Sequence, residues 1–158
     1  MTPELIKQIS VKLENKPDRL SRVVSALAHE KLNIAAMTIA EHRERGILRL
    51  IMDDMRKTAK VLIGLNVPFT EEEVLQVHMH NRPGALAEVC EKLASEHLSI
   101  DYAYSNAASS NGKSVGIFKV SNAARALKLL TEAPHAKRNG FAKMGRKGRN
   151  SKSSRDEE

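Results

Sequence analysis

The chain has 158 residues, room for one medium domain or two small ones, and its 41% hydrophobic residues suffice for a packed core. Aromatics are only 3% with no Trp, so that core is aliphatic; a single cysteine excludes an internal disulfide and fits a reducing, cytoplasmic setting. No long apolar run opens the chain, so neither a signal peptide nor a membrane span is expected, and most of the formal charge of +7 sits beyond residue 134.

In chain order, Ile9, Val11 and Leu13 alternate with polar residues, the period of a half-buried strand. Asn15-Lys16-Pro17-Asp18 reads as a turn into a helix, with Pro at the first helical position and Asp in the first turn. Leu20, Val23, Val24, Leu27 and Ala28 follow at helical spacing. Residues 33–42 read as a second strand, Gly46 as a hairpin turn, 47–52 as a third strand and 54–63 as a helix. Asp53-Asp54 suits capping of that helix better than a cation site. Residues 67–69 open a fourth strand, and Glu71-Glu72-Glu73 reads as a solvated linker.

The second half is similar. Residues 74–79 form a strand, 83–96 a helix with Leu86, Val89, Cys90 and Leu93 on one face, and 99–106 a strand. Asn111-Gly112 signals a hairpin, 114–120 a strand and 123–131 a helix. After Pro134 only Phe141 and Met144 are large and apolar, among many Gly, Lys, Arg and Ser. Such a segment cannot offset its ordering entropy, so 135–158 is expected to be a disordered basic tail. The last strand of the second half is then short or missing. Its absence would leave a sheet edge that seeks a partner, which favours a homodimer.

The two halves are copies. Val11-Lys12-Leu13-Glu14-Asn15-Lys16-Pro17-Asp18-Arg19-Leu20 returns as Val77-His78-Met79-His80-Asn81-Arg82-Pro83-Gly84-Ala85-Leu86, and Val23, Leu27, Leu32 and Ile34 return as Val89, Leu93, Leu98 and Ile100. Each copy reads strand–helix–strand–strand–helix–strand. The expected class is α/β (α+β): two tandem ferredoxin-like βαββαβ domains with antiparallel sheets, over residues 1–70 and 71–134.

The loop of the second copy has a chemistry of its own. The first amides of a helix lack intrahelical acceptors and, with the helix dipole, attract an anion. Gly84 has no side chain, so a carboxylate can approach the amides of Gly84, Ala85 and Leu86, and Asn81 can orient the ligand. The plain alternative is a Pro-started helix with a turn-forming Asn. In the first copy Asp18 replaces Gly84. Its carboxylate is expected to satisfy the amides itself, to repel a ligand and to stabilise the helix by about 0.3–1 kcal/mol.

Asn81-Arg82-Pro83-Gly84-Ala85-Leu86, placed after a strand and opening a helix, resembles the ligand loop of ACT domains, small regulatory modules that bind amino acids. Leu32-Asn33-Ile34 is similar to the family's Asn-Ile element, kept in altered form as Leu98-Ser99-Ile100, and Gly46-Ile47-Leu48-Arg49-Leu50-Ile51 is similar to the third strand of tandem members. The likeness covers residues 6 to 132. Members resembling the serine-sensing part of phosphoglycerate dehydrogenase bind ligand across a domain interface, the loop from one side and the Asn from the other. The resemblance therefore implies one composite site, with Asn81, Arg82, Pro83, Gly84, Ala85 and Leu86 facing Asn33 and Ile34.

His78 and His80 share a strand face. Without a third ligand they read as exposed or interface histidines, able to make an interface respond to pH, rather than as a metal site. Cys90 reads as a buried, inert thiol. There is no nucleophile–base pairing, phosphate-binding Gly loop or zinc signature, so no enzyme activity, metal or cofactor is expected. The reading is a stand-alone amino-acid sensor acting by ligand-linked association with a partner, an enzyme or an acidic protein being candidates, and with no membrane contact. The rival is a nucleic-acid-binding protein. Its basic tail would neutralise phosphates, and Tyr102 and Tyr104, on one strand face, would stack bases.

Overall fold

The computed structural model describes residues 1–14, 16–42, 45–106 and 112–132. The tail 135–158 and Asn111 of the expected Asn-Gly turn lie outside the described residues. The elements are β1 (Thr2–Glu14), α1 (Pro17–His29), β2 (Ile34–His42), β3 (Arg45–Met52), α2 (Met55–Gly64), β4 (Phe69–His80), α3 (Ala85–Ser95), β5 (Ile100–Asn106), β6 (Lys113–Val120) and α4 (Ala123–Thr131). They form one antiparallel sheet in the order β2-β3-β1-β4-β6-β5. This is the expected ferredoxin-like pair, fused edge to edge.

Fusion changes two expectations. Glu71, Glu72 and Glu73 are not a solvated linker: they lie inside β4, which runs unbroken from the first copy into the second. Nor does the short second copy expose an edge beside β4. Residues 2–7 of β1 pair with residues 73–78 of β4 and take the place of the missing fourth strand, while residues 9–11 pair with 69–71 to complete the first copy. One strand thus serves two cores. Ile9, Val11 and Leu13 pack with Val23, Leu27, Leu48, Leu50 and Leu62, whereas Leu5 packs against Leu75, Val77, Val89, Leu93 and Phe118. The free edges of the sheet are β2 and β5.

Local chemistry sets the element ends. Asp54 caps α2 by accepting from the Lys57 amide at 2.9 Å, as its sequence position suggested, and Asn122 caps α4 through the Arg125 amide at 2.9 Å. Three helices close alike, with a left-handed residue after the last turn: Lys31 (φ 56°), Asn66 (φ 55°) and His97 (φ 56°). The next amide then reaches back, Leu32 to the Leu27 carbonyl and Leu98 to the Leu93 carbonyl at 3.0 Å each, and Val67 to the Leu62 carbonyl at 3.1 Å. Gly46 does not form a turn; it lies within β3, opposite Leu13 and Glu41.

The helices cover one face of the sheet. The other face rolls onto itself, bringing strands of the two copies together. Ala36, Ile51, Val74 and Ile117 form a third apolar cluster there, flanked by Ile6, Tyr104 and Val115. Beside it the fully buried Gln8 donates to Tyr102 Oη at 2.7 Å and accepts from Tyr104 Oη at 2.9 Å. Glu72 Oε2 accepts from Tyr102 Oη at 3.0 Å and from Ser10 Oγ at 3.2 Å. The Arg49 guanidinium lies 3.8 Å from the centre of the Tyr102 ring. At one end of the roll Asn106 Nδ2 donates to the Ala35 carbonyl at 2.7 Å, joining the two edge strands.

Candidate functional site

The loop of the second copy runs from the end of β4 into α3. Helix α3 starts at Ala85, two residues later than the sequence pattern suggested, because Gly84 is its N-cap in a left-handed conformation (φ 88°). An added Cβ would meet only Arg82 Nη1 at 3.8 Å, so the backbone angle, not space, calls for glycine. No side chain caps the helix. The Ala85 amide turns back to the Arg82 carbonyl at 3.2 Å, and the Glu88 amide bonds the Gly84 carbonyl at 3.0 Å. The amides of Gly84, Leu86 and Ala87 have no acceptor among the described residues. Arg82 ion-pairs with Glu88 and reaches the Pro83 carbonyl at 3.4 Å, bracing the loop from outside. The Asn81 amide donates to the Gly112 carbonyl at 2.9 Å, fixing the loop to the residue that leads into β6. Asn81, Arg82, Pro83 and Gly84 are exposed and Ala85 is buried. Leu86, expected on the apolar helix face, is 53% exposed; the core face is Ala85, Val89 and Leu93.

Asn33 and Ile34 stand at the entry to β2. Asn33 is exposed, and its amide is held by the Asp53 carboxylate. No hydrogen bond or ion pair among the described residues joins Asn33 or Ile34 to the 81–86 loop. The link is indirect: Asn106 bonds Ala35, next to Ile34, and Gly112 at the other side of the same hairpin bonds Asn81. Sequence spacing did not reveal this hairpin contact, since the only signal for it is a polar Asn ending a strand.

The first copy corrects a second expectation. Asp18 lies in the first turn of α1, yet α1 has no side-chain cap and the Asp18 carboxylate takes no amide of its helix. Its effect there is that of a charge near the helix dipole. Lys16 and Arg19 both pair with Glu14, at 2.9 and 3.3 Å, and lower the Glu14 carboxyl below its usual range, the Lys16 hydrogen bond most.

The other singled-out residues are placed as follows. His78 Nε2 meets Glu4 Oε1 at 3.0 Å, so this histidine fastens residues 2–7 of β1 to β4. The hydrogen bond from His78, then that from Gln76, hold the Glu4 carboxyl below its usual range. Among the described residues no three of His, Cys, Asp or Glu converge as metal ligands would. Cys90 is half-buried rather than buried. Tyr102 and Tyr104 are already engaged, one ring covered by Arg49 and both hydroxyls bonded to Gln8, which removes the base-stacking platform of the nucleic-acid reading. No described helix is long and apolar enough to cross a membrane.

A family model described as an ACT domain pair matches residues 4–136. Among solved structures, protein BT0572 from Bacteroides thetaiotaomicron is similar at 36% identity with a TM-score of 0.76, over 81% of this chain and 88% of that one. The ligand-free regulatory subunit of aspartate kinase from Thermus thermophilus gives a TM-score of 0.58 at 14% identity, over 80% and 95% of the two chains. The corresponding subunit from Thermus flavus gives 0.57 at 15%, over 82% and 95%. At such identities the likeness to the kinase subunits shows the fold alone. No curated protein matches the chain. Repeated sheet, Gly-capped loop and family match agree: the chain belongs to the family of ACT domain pairs.

Proposed function

We propose that this protein is a small-molecule-binding regulator whose ligand is an amino acid. The observation that carries this reading is the start of α3: an exposed Gly N-cap with no side-chain cap, followed by amides without acceptors. The ligand carboxylate lies on the amides of Gly84, Leu86 and Ala87, at the positive end of the helix. Arg82 and Asn81 flank it. Asn33 and Ile34 complete the site from the other copy once the β5–β6 hairpin adjusts. Binding then favours one arrangement of the two copies and so changes association with a partner, in a cytoplasmic setting and with a homodimer as the working unit.

Calorimetric titration with the twenty amino acids tests the reading. Gly84→Asp places a carboxylate where the ligand's would lie and should abolish binding, whereas the neutral Gly84→Asn, which tolerates positive φ, should retain part of it. Asp18→Gly should leave binding intact. Affinity that survives Gly84→Asp, or that is lost in Asp18→Gly, would overturn the assignment. Sedimentation with and without the bound amino acid tests the association.

A further inference from the structure

The two copies differ on their helix faces as well as in their loops. In the first copy a groove of about 730 Å³ opens between α1 and α2. Ala26, Val61 and Leu65 line its apolar part, and His29, Arg56 and Lys60 stand along it. At the position of Ala26 the second copy has Lys92, whose long side chain would cross the same space, and at Arg56 and His29 it has Ala124 and Ser95. The open floor of the groove and the cation at Arg56 therefore belong to the first copy.

The charges of this groove do not cancel. Both of its acids are engaged: Asp54 caps the Lys57 amide, and Glu30 is tied to Lys57, whose Nζ donates to the Glu30 carbonyl at 2.7 Å and lies 3.6 Å from its carboxylate. Arg56 and Lys60, by contrast, form no ion pair or side-chain hydrogen bond among the described residues. Arg56 sits in the first turn of α2, where the helix dipole adds positive potential, and Lys60 follows one turn later on the same side. Three residues beyond Lys60 and seven beyond Arg56, on the same stripe of α2, Ile63 is 68% exposed. Two unpaired cations and an exposed aliphatic residue thus run along α2, beside an apolar floor that α1 shares through Ala26. The site is too open to enclose a small molecule, which pockets normally bury over most of its surface.

We infer that the α1–α2 groove of the first copy is a docking site for an acidic segment of a protein partner that also carries aliphatic side chains. Carboxylates of that segment meet Arg56 and Lys60, and an aliphatic residue enters over Ala26 and Val61. This rests on the proposed function only in supposing a partner; it does not depend on the 81–86 loop.

The probe is a short fluorescein-labelled peptide of alternating glutamate and leucine, followed by anisotropy at low salt with the full chain. Arg56→Glu/Lys60→Glu should weaken binding by about tenfold or more, as expected for reversing charges that meet charges. Ala26→Lys should weaken it several-fold by filling the floor while adding a cation, an outcome that simple charge attraction cannot produce. Lys128→Glu, the matching change in the second copy, and Gly84→Asp should leave it unchanged. Peptide binding that persists in both groove variants, or that follows the 135–158 tail instead, overturns the inference. So does equal binding of a peptide with lysine in place of glutamate. Loss of amino-acid binding in Gly84→Asp with peptide binding intact separates this inference from the ligand reading.

Discussion

Asn33 and Asp53 hold each other across the start of β2: the Asn33 amide donates to both Asp53 carboxylate oxygens at 3.2 Å, and the Asp53 amide donates to the Asn33 carbonyl at 3.3 Å. The second copy keeps the geometry with different residues. There the Ser99 amide donates to Ser121 Oγ at 3.2 Å and the Ser121 amide to the Ser99 carbonyl at 3.0 Å. The Asn33/Ser99 difference is therefore one half of a paired change, Asn with Asp in one copy and Ser with Ser in the other. The carboxylate bond orients the strand that presents Asn33.

Asp53→Ala should destabilise the chain by about 1 kcal/mol, a charge-assisted bond reduced by its exposure to water. Asp53→Asn keeps an acceptor and should cost less. Ser121→Ala should cost a few tenths of a kcal/mol. Urea unfolding of the three variants measures the order. If Asn33 contributes to the ligand site, Asp53→Ala should also weaken amino-acid binding, and Ser121→Ala should not.

The glycines of the third strands make a second contrast. A Cβ on Gly116 would stand 2.7 Å from the Phe118 ring and 3.0 Å from Met79, both buried side chains with little room to shift. At Gly46 in β3, whose counterpart in β6 is Ser114, the nearest atom would be 3.7 Å away on Ile39. Gly116→Ala should cost about 1–3 kcal/mol through overpacking, and Gly46→Ala should be nearly neutral. Thermal unfolding compares them directly.

Much of this architecture was legible from residue patterns, and what was not has physical causes. Alternation in Ile9, Val11 and Leu13 marks a strand, and the return of Val23 and Leu27 as Val89 and Leu93 marks a second helix of the same kind. Residues 2–7 give no comparable signal. Pro3, Glu4 and Lys7 interrupt the pattern, and only pairing with β4 makes them a strand. Glu72 differs from its local pattern for a related reason: a carboxylate in a run of three looks solvated until Tyr102, thirty residues away, reaches it. Long-range contact, not local preference, decides such positions. In the candidate site the Gly84 loop was recognisable from its residue types. The tie between Asn106 and Ala35 was not, because it depends on how the sheet rolls.

Removing residues 1–7 should therefore do more than trim an end. It strips Leu5 from the second core and unpairs residues 73–78 of β4. An unpaired edge of this length recruits another chain, so the truncated protein should form larger species than the full chain does at the same concentration. Sedimentation at matched concentration decides. A milder version is Glu4→Gln. Because the Glu4 pKa is depressed in the fold, its contribution exists above the ordinary carboxylate pKa and fades as pH falls through the lowered value. The variant should thus be slightly less stable than the parent at neutral pH and equal to it in acid.

Two helix ends use residues that are poorly suited to their backbone. Lys31 and His97 hold positive φ, where glycine is favoured. Each is exposed, so its side chain offsets little of that strain. Lys31→Gly and His97→Gly should each raise stability, by up to about 1 kcal/mol. The gain should be smaller at Asn66, since Asn tolerates this conformation better. Unfolding midpoints in urea measure all three.

At the alkaline end the rolled face controls stability. Burial pushes the Tyr104 hydroxyl well above the usual tyrosine range; the nearby Tyr102 adds to the shift and Arg49 opposes it. Burial raises Tyr102 as well. A group whose pKa is higher in the fold than in the unfolded chain stabilises the fold fully below the unfolded value, about 10 for tyrosine, and less as pH climbs toward the folded value. Stability should therefore begin to fall near pH 10. Tyrosinate absorbance should appear together with unfolding rather than before it, and the reading is clean because the chain has only two tyrosines. Tyr104→Phe removes one ionising group, so its alkaline loss should be shallower. It also leaves the buried Gln8 carbonyl without the Tyr104 hydroxyl, 2.9 Å away in the parent, and should cost about 1–3 kcal/mol at neutral pH. A variant with unchanged neutral stability and an unchanged alkaline slope would mean that the Gln8–Tyr104 contact does not hold the two copies together.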